Sequence, residues 1–246
     1  MVTFNNKHNQ ANQEGNADGN DSNRSWNVGT EGESQDLGVN TIRHWLKKSM
    51  LATLMLSSGV PMLNMGDEVS RTQNGSNNAY SLPLSFDQES EASFNGGWAL
   101  PWQLDEHAQD ILASVQELAK IRETYLADVA SEFFTGIVDQ GTKRKDIAWF
   151  SLGGHEMSDD HWQDEEKRSI TVFVEADATR GLLLLMNSSK VETEFTLPDN
   201  TWGEAYRCIF DASHDVASYQ PEIAAPQAKI TVAQHSAQVW LVTRTR

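Results

Sequence analysis

The hydrophobic and polar positions change their period partway along the chain. Over about 36–57, Ile42, Trp45, Leu46, Ser49 and Thr53 recur at three- and four-residue steps, which predicts an amphipathic helix. Its second half, with Met50, Leu51, Leu54, Met55 and Leu56, is apolar almost all round and predicts burial on more than one face. Gly59 ends the helix. The run 60–65 that follows is apolar without alternation and is closed by Gly66, the pattern of a buried strand in a parallel sheet. Residues 67–104 carry no period and contain Gly75, Pro83, Gly96, Gly97 and Pro101, so they read as loop. A second helix is predicted over 106–126 with Asp105 as its N-cap, and Ile111, Leu112, Val115, Leu118, Tyr125 and Leu126 form its apolar face.

After about residue 128 the period becomes two. Strands are expected at 147–151, 170–175, 182–187, 191–197, 205–210, 229–233 and 237–243, separated by turn residues such as Asn187-Ser188-Ser189 and Pro198-Asp199-Asn200. Seven short strands so punctuated read as an antiparallel β-sandwich. At the other end, Asn5, Asn6, Asn9, Asn12, Asn16, Asn20, Asn23 and Asn27 are mixed with Gly15, Gly19 and Gly29. Asn and Gly tolerate positive φ and bond their own backbone, so 1–35 reads as a long irregular loop or a disordered terminus, and composition alone favours the latter.

Charge narrows the function classes. The 246 residues carry 19 Lys+Arg against 35 Asp+Glu, a formal charge of −16. Such a surface repels nucleic-acid phosphates and anionic membranes, so neither is expected as a partner. With 39% hydrophobic and 9% aromatic residues the chain can build packed cores. The longest apolar stretch, 50–56, is interrupted by Thr53 and is too short to cross a bilayer. One cysteine, Cys208, forms no internal disulfide, and the first residues show no signal-peptide pattern, so a cytoplasmic location is expected.

Two segments invite a metal reading and fail it. Asp18-Gly19-Asn20-Asp21-Ser22 begins like a calcium loop but has Asn23 and Gly29 where Gly and Glu are needed. His155-Glu156-Met157-Ser158-Asp159 begins like a zincin helix but lacks the second His. No metal and no cofactor are expected.

The informative text lies elsewhere. Gly59-Val60-Pro61-Met62-Leu63-Asn64-Met65-Gly66-Asp67-Glu68 resembles the segment around barrel strand eight of the α-amylase superfamily. Arg71-Thr72-Gln73-Asn74-Gly75-Ser76-Asn77-Asn78-Ala79-Tyr80 resembles the Arg-Thr-Gln segment of isoamylase-type glycogen debranching enzymes. Two further matches agree in order. Residues 2–9 with 23–29 are similar to the family's Asn-rich loop after strand seven. Trp149-Phe150 with Gly154-His155-Glu156-Met157 and Trp162 is similar to a C-terminal signature of that family. After Tyr80 the chain departs, with Ser81-Leu82-Pro83-Leu84-Ser85-Phe86 where the family has Cys-Gln-Asp-Asn.

The resemblance implies a fold in two parts. The end of a (β/α)8 barrel, α/β in class, occupies 1–128, with the Asn-rich loop at 1–35, and an all-β antiparallel sandwich occupies 129–246. It implies a glycoside hydrolase of α-1,6 branch linkages in glycogen or maltodextrin, whose chemistry needs two carboxyl groups about 5 Å apart. None of the family's three catalytic carboxylates maps onto this chain, so the expectation is the C-terminal portion of such an enzyme, catalytically incomplete. The alternative is a stand-alone α-glucan-binding protein without catalysis. The expected sugar contacts are Arg71, Gln73, Asn77 and Asn78 as planar donors and acceptors, with Trp26 and Tyr80 stacking on pyranose faces. Turn-building serves Asn77 and Asn78 as well, and capping or orientation of neighbours serves Asp67 and Glu68. Self-association through exposed barrel surface is also expected.

Overall fold

A computed structural model describes residues 3–10, 15–78, 103–129 and 133–245. The helices stand where the period places them: α1 is Leu37–Leu56 and α2 is Glu106–Tyr125. Asp36 Oδ1 accepts from the N–H groups of Gly38 and Val39 at the start of α1, at 2.7 and 3.1 Å. Asp105 Oδ1 does the same for Ala108 of α2 at 2.7 Å, so both helices begin on a carboxylate that satisfies first-turn donors. Leu51, Ala52 and Leu56 are buried, whereas Met50 stays exposed, so the apolar half of α1 is covered only in part.

The expected strand at 60–65 does not form. Residues 60–64 have no regular structure, and Val60 and Met62 are 95% and 87% exposed. A strand needs a ladder partner for its N–H and C=O groups, and none of the described residues pairs with this run. All strand pairs among the described residues are antiparallel, so the expected barrel end does not appear as a parallel strand–helix unit.

All seven expected strands are present. They are β1 Ile147–Phe150, β2 Ser169–Glu175, β3 Arg180–Asn187, β4 Thr193–Thr196, β5 Ala205–Asp211, β7 Lys229–Val232 and β8 Ser236–Thr243, joined by a two-residue β6, Ile223–Ala224. Six form one antiparallel sheet in the order β1-β2-β3-β8-β5-β6, and β4 pairs with β7 in a second. Register aligns Phe173 with Leu183, Leu183 with Trp240 and Trp240 with Cys208, a row of core side chains running across four strands. Phe195 and Ile230 of the second sheet share that core. Trp202 meets the rings of Phe150 and Phe173 edge-on, at 4.9 and 5.1 Å between centroids. Each fully buried side chain of this size stabilises the fold by roughly 1.5–3 kcal/mol.

The central strands are buried on both faces, which is why 182–185 reads Leu-Leu-Leu-Leu instead of alternating. The described residues form two compact units, one within 1–47 and 63–112, the other within 48–62 and 113–246. Within the second, Thr53 and Leu56 of α1, Leu126, and Leu182, Leu184 and Met186 of β3 line one apolar groove of about 190 Å³. Lys48 is fully buried in the same unit, donates to the carbonyl of His214 at 2.5 Å, and lies over the Phe210 ring. Arg122 of α2 donates to the carbonyls of Met55, Ser57 and Gly59, closing the C-terminal end of α1 where helical carbonyls lack partners. No helix among the described residues is long and apolar enough to cross a membrane.

Candidate functional site

The Asn-rich segment and the loop 63–78 belong to the first compact unit and are held together by side chains, not by ladders. Asn9 is the centre. It is fully buried, and its Oδ1 accepts from the N–H of Asn77 at 2.7 Å and from Ser76 Oγ at 3.2 Å. Its Nδ2 donates to the carbonyl of Asp18, and its own N–H donates to Asn16 Oδ1 at 2.9 Å. His8 N–H donates to the carbonyl of Gly75 at 2.8 Å. The rings of Phe4 and His8 come so close to Gly75 that a Cβ there would sit 2.8 and 2.6 Å from them, and φ is +81°. Only glycine meets both conditions.

Glu31 gathers a second knot. It accepts from the N–H groups of Asn5 and Asn6 at 2.9 and 3.0 Å, from His8 Nε2 at 2.8 Å and from Asn27 Nδ2 at 2.7 Å. The Asn5 N–H leads these donors in holding the carboxyl well below its ordinary range, at about 2. Arg43 of α1 reaches the same segment and donates to the carbonyls of Gly32, Asn27 and Thr30 at 2.8, 2.9 and 2.5 Å. Burial pulls its pKa down. Burial also lowers Lys47, with the Arg43 charge adding to it, and Lys47 Nζ donates to Ser70 Oγ at 2.5 Å.

The expected sugar-contact residues fall into this web unequally. Arg71 donates to Gln73 Oε1 at 2.5 Å and stands 3.2 Å from Asp67 Oδ1, while Gln73 Nε2 donates to the carbonyl of Ser76 at 3.1 Å. Asn78 Nδ2 donates to Asp18 Oδ2. Arg71, Gln73 and Asn78 are therefore tied to neighbours in the same loops. Asn77 is pinned through its backbone, with its side chain at an exposed position. Trp26 is 40% exposed on the adjoining segment. Tyr80 lies outside the described residues. Asp67 and Glu68 form the one-turn 3-10 helix Asp67–Val69, in which Glu68 Oε2 accepts from the N–H of Gly66 at 2.7 Å, so both orient their neighbours as anticipated. Sequence reasoning missed Asn9 and Glu31, because eight similar asparagines in one loop give no sign of which are buried.

The carboxylates of these loops meet N–H donors or cations: Asp21 meets Lys7, Glu31 its four donors, and Asp67 Arg71. The surface of these loops is rich in side-chain amides, which offer donors and acceptors to hydroxyl-bearing ligands.

The C-terminal signature forms a tight motif of its own. From β1 the chain turns through 151–156, with Met157 N–H donating back to the carbonyl of Trp149 at 2.8 Å. Gly154, at φ +75°, presses its backbone onto β4, where a Cβ would sit 2.8 Å from the carbonyl oxygen of Thr196. The acidic run 159–166 opens with the short, solvent-exposed helix α3, Asp159–Gln163. A reciprocal cap at Ser158 starts it, in which the Ser158 N–H donates to His161 Nδ1 at 3.1 Å. A family model described as "Isoamylase, C-terminal" matches residues 146–246. The last two-fifths of this chain are thus similar to the isoamylase C-terminal domain family.

Comparison of the chain with curated proteins extends the likeness beyond that domain. It is 32% identical over 238 residues to the glycogen operon protein GlgX homolog of Mycobacterium tuberculosis (strain ATCC 25618 / H37Rv), covering 92% of this chain and 32% of that protein. It is 32% identical over 203 residues to the glycogen debranching enzyme of Dickeya chrysanthemi, covering 82% of this chain and 27% of that protein. The chain thus spans about a third of the length of the curated relatives it matches. Among solved structures it is similar to pullulanase type I from Bacillus subtilis str. 168 complexed with maltose, at a TM-score of 0.49 and 15% identity, covering 86% of this chain and 24% of that one.

Proposed function

We propose that this chain is the C-terminal portion of a glycogen or maltodextrin debranching enzyme that hydrolyses α-1,6-glucosidic branch linkages, and that alone it is catalytically incomplete. The observation that carries the reading is the 238-residue match to a GlgX homolog, which reaches well upstream of the isoamylase C-terminal domain. In this reading 1–128 is the end of the catalytic barrel and 129–246 is the appended sandwich. The loops around Asn9 form part of the rim that meets α-glucan, through Arg71, Gln73, Asn77, Asn78, Trp26 and Tyr80. The exposed run 60–65 is the last barrel strand without its partners, and self-association of the chain hides it.

The chemistry of these loops supports catalytic incompleteness. Glycoside hydrolysis needs one protonated carboxyl facing one ionised carboxylate. Glu31 is driven towards ionisation, the opposite of what a general acid requires. Asp67 and Glu68 are adjacent and engaged with Arg71 and the Gly66 N–H.

The test is reducing-end release from a branched limit dextrin. The purified chain gives none, and a chimera in which it replaces the matching region of the Dickeya chrysanthemi enzyme cleaves the branch points. Turnover by the chain alone that Asp67→Asn abolishes refutes the incompleteness. A folded chimera with no activity refutes the debranching reading.

A further inference from the structure

The isoamylase C-terminal domain carries an aromatic pair that its core does not use. Trp149 lies on edge strand β1, where one side of it lines the groove between α1 and β3, and Trp162 projects from α3 to meet it. Their rings are 5.8 Å apart and inclined at 72°, and they remain 36% and 51% exposed. Neither indole N–H donates to a partner among the described residues. A pair that served only to pack α3 onto the sheet would bury its faces. This one keeps two aromatic surfaces in water, at a cost of roughly 25 cal/mol for each apolar Å² left wet.

The backbone that carries the pair is pinned by hydrogen bonds. Met157 N–H bonds the Trp149 carbonyl, Trp162 N–H bonds the Ser158 carbonyl at 3.1 Å, and Thr196 N–H bonds the Leu152 carbonyl at 2.8 Å. The reciprocal Ser158–His161 cap fixes the first turn of α3, and Glu156 pairs with Lys145. A backbone ordered before a ligand arrives loses little entropy when it does.

Asp159, Asp160, Asp164, Glu165 and Glu166 fall on α3 and the turn after it. That rim repels phosphates and anionic lipids, and it offers carboxylate acceptors to hydroxyl donors. A neutral ligand with an apolar face and a hydroxyl edge fits both parts, and a pyranose has that anatomy. Two rings at 72° form a corner in which one sugar stacks on a face while the indole N–H groups donate to its hydroxyls.

We propose that Trp149 and Trp162 form an α-glucan-binding site on the sandwich, separate from the loops around Asn9. It would tether the domain to branched polymer without taking part in hydrolysis. The choice of glucan over other neutral saccharides rests on the debranching reading above.

The test is native affinity electrophoresis of the full chain in gels containing glycogen. The wild-type chain is retarded, and Trp162→Ala lowers its affinity at least tenfold with an unchanged thermal melt. Trp162→Phe, which keeps a ring face, recovers part of the loss, and Lys120→Ala, exposed on α2 and outside both proposed sites, leaves retardation in place. Retention of Trp162→Ala equal to wild type overturns the site, as does a wild-type chain that glycogen does not retard. Sedimentation of the same variants separates a protein-packing role: if Trp162→Ala changes only the association state and not glycogen binding, the proposal fails. None of these outcomes touches hydrolysis by the chimera, so the site and the debranching reading fail separately.

Discussion

Acidification should loosen the Asn-rich segment at one carboxyl group. Glu31 accepts four hydrogen bonds, and its pKa falls from an ordinary 4.5 to about 2. A depressed folded-state value contributes stability that is fully present above the unfolded value, and the contribution is lost as pH falls from about 4.5 through 2. At about 1.36 kcal/mol per unit the shift corresponds to about 3 kcal/mol. The side chain is 30% exposed, and solvent screening cuts this to on the order of 1 kcal/mol. Glu31→Gln removes the charge at every pH while keeping the size. It should therefore weaken the segment by that amount at pH 7 and by almost nothing at pH 2. The assay is NMR of the Asn5 and Asn6 amide protons, which point at the carboxylate. In the wild-type chain their shifts titrate with a midpoint near 2, and in Glu31→Gln that transition disappears. A midpoint near 4.5 would mean that the carboxylate is solvated like any surface glutamate and would refute the reasoning.

Arg122→Ala should destabilise the second compact unit by about 1–2 kcal/mol, because three carbonyls at the end of α1 lose a charged donor. A change below about 0.5 kcal/mol in denaturant unfolding speaks against the cap. Sedimentation velocity should show species larger than a monomer that the double substitution Val60→Ser and Met62→Ser returns to monomer. A dispersed wild-type monomer refutes self-association through this run.

The sandwich was legible because each strand carries its own signal. The repeating inward positions of 170–174 and 206–210 report one buried face, and Asn187-Ser188-Ser189 marks a turn by its own hydrogen bonds, with Ser189 N–H donating to Asn187 Oδ1 at 3.0 Å. The misses share a physical cause: they depend on partners that local pattern does not report. β6 has two residues and exists through its pairing with Tyr206 and Arg207. α3 exists through the Ser158–His161 cap inside an acidic run that looks solvated. The run 60–65 has the composition of a strand and lacks a described neighbour to pair with. At the candidate site the loops and the Arg71–Asn78 stretch could be read as polar and irregular. Which asparagine lies at the buried centre depends on how 3–10, 15–32 and 70–78 cross, and that is fixed only in three dimensions.

The web around Asn9 has a consequence for how the protein ages. Backbone ladders are chemically inert, but the loops of the first unit are joined by side-chain amides, and amides hydrolyse slowly through attack by the next backbone nitrogen. That attack is least hindered before glycine, and Asn74 precedes Gly75, the residue on which Phe4 and His8 pack. Conversion of Asn9 to aspartate would replace the amide donor to the Asp18 carbonyl by an anion at a site with no water to solvate it. Two units of one chain therefore keep different clocks. The sandwich rests mainly on its ladders, with the buried amide of Asn187 bonding three carbonyls, while the Asn-rich loops rest on several amides and are more open to slow decline with time and warmth.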